Sequence, residues 1–201
     1  MENIQVLCKK CHATEDWNYL HNNLKEDNLK IMINGKLTLI YTDFLNKELT
    51  EKLWNDFPNL YKDKDASIRC SLIPFGFECL AGWEPLIREL SIKLEKLIIE
   101  YKKEYPNEEY YPRASQVKEK YGTLRFYMTT STDEMENLID EAEGKSAKTC
   151  EECGKDGELR ITGGTPYGWH MTRCEKCAID RDGNRIPMYE EIEKEDKGMI
   201  I

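Results

Sequence analysis

The chain has 201 residues, 33% of them charged and 40% hydrophobic, with a formal net charge of −9. This length holds one compact domain plus small appendages, and the acid excess works against the long basic track that extended nucleic acids require. No apolar run approaches the ~18 residues of a membrane span, and Met1–Leu7 has neither a basic n-region nor a long apolar h-region, so a cytoplasmic protein with reduced thiols is expected.

The N-terminal segment opens with Cys8-Lys-Lys-Cys11-His12. C-x-x-C-H is the haem c attachment pattern, but that attachment belongs outside the cytosol. Two other readings stay open: a second metal site joining Cys8 and Cys11 with His12, His21, Cys70 or Cys79, or unliganded thiols. Ile31–Ile33 and Lys36–Ile40 then flank Asn34-Gly35, which predicts a hairpin with a type I′ turn. A short helix is expected from about Asp43 to Phe57, capped by Thr42, striped by Leu45, Leu49 and Leu53 and ended by Pro58.

The central block begins near Ser67. Cys70 to Cys79 reads as a loop broken by Pro74 and Gly76, with both cysteines expected as small buried hydrophobes. Ala81-Gly82-Trp83 leads into the longest helix, where Trp83, Leu86, Ile87, Leu90, Leu94, Leu97, Ile98 and Tyr101 recur at three and four. Trp83 is expected as a core anchor at its start. The stretch from Gln116 to Met128 predicts a strand or tight hairpin, with Leu124, Phe126 and Met128 on one face and Thr123, Arg125 and Tyr127 on the other. Gly122 is either a turn or a bulge, and a bulge would shift Lys118 or Lys120 onto the face of Arg125. A second helix is expected from Asp133 to Glu143.

Cys150-Glu-Glu-Cys153 is followed, after twenty residues, by Cys174-Glu-Lys-Cys177. Two C-x-x-C pairs so spaced make a strong zinc signature: each pair aims two thiolates at one point, and four close a tetrahedron. Such a site has no open position, so the zinc is expected to be structural. Leu159 and Ile161, the Gly163-Gly164 turn, and Trp169 and Met171 suit the strands of a zinc ribbon. Four thiolates on one Zn²⁺ would take the formal charge from −9 to about −11. The chain after Cys177 is acidic and polar and is expected to be poorly ordered.

The expected fold is α+β, with two amphipathic helices on a small antiparallel sheet and a C-terminal zinc ribbon as a clip. The expected divisions are an N-terminal segment 1–64, a core 65–147, the ribbon 148–178 and an acidic tail 179–201. The candidate ligand site is Lys118, Lys120, Tyr121, Arg125 and Tyr127, since ammonium and guanidinium groups suit phosphates and an aromatic ring suits a base. Glu78 or Glu119 could take ribose hydroxyls. An ordinary half-exposed strand with solvated lysines is the plainer reading. Neither a phosphate-binding glycine loop nor a metalloprotease helix motif occurs, and the three histidines suggest no nucleophile–base pair.

Three segments occur here in one order: Phe75-Gly-Phe-Glu-Cys79 with Gly82-Trp83, then Gln116-Val-Lys-Glu-Lys-Tyr-Gly-Thr-Leu-Arg-Phe-Tyr127, then Cys150-x-x-Cys153-Gly154 with Gly168-Trp169 and Thr172-Arg173-Cys174. Over about residues 65 to 178 the chain resembles a group of small tailed-bacteriophage proteins. Members often close the metal site with histidine where this chain has Cys177. The resemblance implies a phage accessory protein acting in a bacterial host and supplies no catalytic activity.

Three functions are therefore expected. The first is non-catalytic capture of a small anionic, nucleotide-like ligand, such as a host-defence signal. The second is a nucleic-acid-binding ribbon, weakly supported because Lys145, Lys148, Lys155, Arg160, Arg173 and Lys176 are nearly balanced by Glu151, Glu152, Asp156, Glu158 and Glu175. The third is a protein-interaction inhibitor of a host enzyme. A homo-oligomer is compatible with each.

Overall fold

The structure, a computed structural model, describes residues 47–192 except 166 and 181, together with the strands Lys30–Ile33 and Lys36–Leu39. The chain divides into two units, Met1–Thr42 and Asp43–Ile201. In the first unit, β1 (Lys30–Ile33) pairs antiparallel with β2 (Lys36–Leu39), with Ile33 opposite Lys36. Cys8, Cys11, His12, His21, the Asn34-Gly35 turn and Thr42 lie outside the described residues.

The larger unit begins with α1 (Lys47–Asp56), whose Leu53 is fully buried. The turns after it are pinned by one buried carboxylate. Glu95 accepts the Asn59 amide at 2.7 Å through Oε1 and the Leu60 backbone N–H at 2.7 Å through Oε2. Tyr61 follows into the core, its hydroxyl 2.6 Å from Ser91. Leu53, Phe57, Leu60 and Tyr61 thus share one apolar cluster with Trp83, Ile87, Leu94, Val117 and Phe126. The boundary read at residue 64 moves to about residue 43, because α1 builds the main core.

The short strand β3 (Phe77–Glu78) precedes α2 (Glu84–Glu104). Pro85 in the first turn of α2 leaves no donor to orphan, and Lys102 and Lys103 in the last turn interact favourably with the negative end of the helix dipole. Two strands follow, β4 (Ala114–Lys120) and β5 (Thr123–Met128). The sheet order is β3-β4-β5, with β4 parallel to β3 and antiparallel to β5. This corrects the expected all-antiparallel sheet. A parallel pair needs a long crossover, and α2 supplies it, making a βαβ unit.

β5 is an edge strand, and α3 (Asp133–Ser146) covers it. Thr132 caps α3, its hydroxyl accepting the Met135 N–H, and Asp133, Glu134 and Glu136 occupy the first turn. Two side chains of α3 then satisfy the outward donors of β5: Ser146 Oγ takes the Leu124 N–H at 2.8 Å and Glu143 Oε1 the Phe126 N–H at 3.1 Å. The two-helix expectation thus undercounts the described residues, which hold α1, α2 and α3 and turn helical again at 189–192; α2 and α3 pack together.

β6 (Glu158–Ile161) and β7 (His170–Arg173) form the ribbon hairpin. The expectation of a poorly ordered stretch after Cys177 fails for residues 178–180 and 182–192. Ala178, Ile186 and Ile192 are buried, and Arg160, only 1% exposed, donates to the Ile186 carbonyl at 2.9 Å. Among the described residues no helix is long and apolar enough to cross a membrane.

Candidate functional site

The four ribbon cysteines converge. The Sγ atoms of Cys150, Cys153, Cys174 and Cys177 all lie within 4.8 Å of one another, and Cys153 and Cys174 are 3.6 Å apart. A tetrahedron with ~2.3 Å metal–sulfur bonds has edges of about 3.8 Å, so the cluster fits a four-thiolate metal centre. Local geometry explains the convergence. Gly154, at φ 73°, turns the first knuckle and donates to the Cys150 carbonyl at 2.8 Å; the Cys177 N–H closes the second on Cys174 at 3.1 Å. The Cys177 amide also holds the Cys174 thiol down at about 6, whereas burial pushes the Cys177 thiol up. Glu175, between the second pair, is clamped by Arg160 at 2.6 Å and Arg185 at 2.7 Å.

The metal cluster is built into the core. The Gly82 N–H donates to the Glu151 carbonyl at 2.7 Å, and a Cβ at residue 82 would stand 2.4 Å from the Cys150 carbonyl oxygen. Trp83, fully buried, donates its indole N–H to the Thr149 carbonyl at 2.7 Å. Burial pushes the Glu151 carboxyl up to about 7, while the Leu80 N–H at 3.0 Å opposes the shift.

The β4–β5 turn meets β7 of the ribbon. The turn is Tyr121-Gly122 with φ of 55° and 80°, between the pair Lys120 and Thr123. Gly122 is thus a turn and not a bulge. No bulge is needed to align the cations, since Lys118 sits directly opposite Arg125 on the outer face. The Gly122 carbonyl accepts the Thr172 hydroxyl at 2.6 Å, and the Gly122 N–H donates to Glu119 Oε1 at 2.5 Å. Burial raises the Glu119 carboxyl, with the Gly122 amide opposing it.

Between turn and ribbon lies a cleft of ≈ 270 Å³ lined by Lys118, Glu119, Lys120, Tyr121, Gly168, Trp169 and His170. Tyr121 and Trp169 are 69% and 66% exposed. Neither Lys118 nor Lys120 has a carboxylate within 4.0 Å among the described residues; their ammonium groups lie 5.6 Å from the ring centres of Tyr127 and Tyr121. His170 meets the Tyr121 ring edge-on at 6.1 Å.

Comparison with protein-family models, with curated proteins and with solved structures gives no match for this chain. The site is therefore read from its own residues.

Of the five residues expected to bind ligand, the structure brings Lys118, Lys120 and Tyr121 to one cleft. Tyr127 joins through Lys118 from a neighbouring trough. Arg125 goes elsewhere, ion-paired with Glu143 at 3.2 Å and bonded to the Leu124 carbonyl at 2.7 Å. Glu78 is engaged by the Gln116 amide at 2.6 Å. Cys79 is a buried core thiol, pushed up by burial, but Cys70 is exposed, which corrects its expected burial. Trp169 and His170 were missed. Their alternation with Met171 marks a ribbon strand, and nothing local says that this strand abuts a distant turn.

Proposed function

We propose that the chain is a non-catalytic binding protein that captures a small nucleotide-like anion in the cleft between the β4–β5 turn and β7. The observation that carries this reading is the pairing of two lysines, neither with a carboxylate within 4.0 Å among the described residues, with two exposed rings at one opening that Glu119 also lines. Ammonium groups take phosphate oxygens, and Tyr121 or Trp169 stacks on a base. The backbone of Tyr121 supports it. Type I′ positions favour Asn, Asp or Gly, and an exposed tyrosine held at positive φ is strain of the kind that accumulates at ligand sites.

The metal is proposed to be zinc, a closed-shell ion suited to four thiolates, with a structural role. It would hold Trp169 and His170 against the turn and complete the second wall of the cleft. In the phage setting that the resemblance implies, capture in the host cytoplasm would remove a nucleotide signal from circulation.

Size favours this reading over a polymer. A few local cations suffice for a di- or trianion on an acidic protein, whereas a long strand needs many phosphate contacts. The ribbon's own arginines are committed: Arg160 is buried on Glu175, and Arg173 pairs with Glu152.

The test is isothermal titration of metal-loaded protein with purine and pyrimidine mono- and triphosphates. Binding that falls at least tenfold in Lys118→Ala/Lys120→Ala, with the melting temperature retained, supports the site. Undiminished affinity in that variant, or no binding by any nucleotide, sinks it.

A further inference from the structure

A second opening lies along the same face of the sheet. It is an open trough of ≈ 500 Å³ whose lining includes Arg69, Ser71, Gln116, Lys118 and Tyr127. Lys118 lines both openings. The loop carrying Arg69 and Ser71 is stitched to β4, where the Leu72 N–H donates to the Ser115 carbonyl at 2.8 Å. The register of β4 shifts at this place, between Ala114 and Gln116, which frees Ser115 to receive the loop.

The face therefore repeats one motif. Lys118 stands 5.6 Å from the centre of the Tyr127 ring, and Lys120 stands 5.6 Å from that of Tyr121. Each pair offers a cation for a phosphate beside a ring for a base. The two lysines are two residues apart on one strand, about 7 Å along it. Tyr127 is 39% exposed. Arg69, also exposed, adds a third cation at the outer end of the trough, whereas Arg125 on the same face is held by Glu143.

We infer that the compound captured here carries two nucleobases joined through phosphate, laid along β4 with Lys118 at the bridging phosphate. This rests on the proposed nucleotide site and goes further: one base lies by Tyr121 and Trp169, the other by Tyr127, in the trough that Arg69 closes at its outer end. A single nucleotide fills one opening and leaves the Tyr127 end vacant. A free dinucleotide is favoured over a stretch of longer strand because the chain's net charge of −9 repels added phosphates beyond the two openings.

The experiment compares three probes on the full, metal-loaded chain: mononucleotides, phosphate-linked dinucleotides of the same bases, and a twelve-residue single strand. The best dinucleotide is expected to bind at least tenfold more tightly than the best mononucleotide. Tyr127→Ala is expected to erase that advantage and Tyr127→Phe to keep it. Equal affinity for mono- and dinucleotide overturns the two-base inference and leaves the single-cleft reading standing. A dinucleotide advantage that survives Tyr127→Ala overturns the assignment of the trough. Tighter binding of the twelve-residue strand, with affinity collapsing as salt rises, makes a polymer the occupant. Binding of none of the probes removes this inference and the nucleotide site together.

Discussion

Two residues concentrate the conflict between folding and function. Tyr121 occupies a left-handed turn position at φ 55° while 69% exposed, so it gains little from burial and carries backbone strain. Tyr121→Asn is expected to raise stability by about 0.5–1 kcal/mol, since Asn tolerates that conformation, and to weaken nucleotide binding at least fivefold. Chemical denaturation and titration on the same preparation check both halves. A loss of stability would mean that Tyr121 serves the turn and not the cleft. Gly82 is the reverse case. A methyl group there meets two backbone carbonyl oxygens, of Cys150 and Glu151, at 2.4 and 2.5 Å. Neither can swing away as a side chain would. Gly82→Ala is expected to cost about 1–3 kcal/mol by overpacking and to speed metal loss to a chelator, read by a colorimetric metal indicator.

At the level of elements, the signals that were legible in the sequence were local ones. The three-and-four repeat from Trp83 to Tyr101 marks α2, and the Leu124, Phe126, Met128 alternation marks β5, because burial on one face imposes its period on a single segment. The cysteine knuckles are legible for the same reason, since a turn and two ligands need only four residues. The pairing of Phe77-Glu78 with β4, the seat of the ribbon on the turn, and the packing of Ala178, Ile186 and Ile192 were not legible. Each depends on contacts between segments far apart in the chain, and a two-residue strand has no period. Gly82 and Gly122 turn out to be positions where core and ribbon backbones approach closely. The cover on β5 is another such long-range device. Leu124 is fully buried and its N–H has Ser146 Oγ as acceptor. Ser146→Ala would leave that donor unmatched, and a cost of about 1–3 kcal/mol is expected in the urea midpoint. No change would mean that β5 finds another partner without α3.

Across the larger unit, one small ribbon carries both the metal cluster and a wall of the ligand cleft. The Glu151 and Thr149 carbonyls hold Gly82 and Trp83, while Thr172 and Trp169 face the β4–β5 turn. The ribbon hairpin has only four residues in each strand, too few to persist without a staple. The α2 side, by contrast, has its own apolar cluster running from Leu53 to Ala142. Metal removal should therefore act unevenly. After chelation under reducing conditions, hydrogen exchange is expected to rise across Glu158–Ile161 and His170–Arg173 and to stay slow in the middle of Glu84–Glu104. Nucleotide affinity should fall in parallel, because the Trp169 wall leaves while Lys118 and Lys120 remain, and added zinc should restore both. If the ribbon amides stay protected without metal, packing against Gly82 and Gly122 alone holds the ribbon, and the cleft owes nothing to the four thiolates.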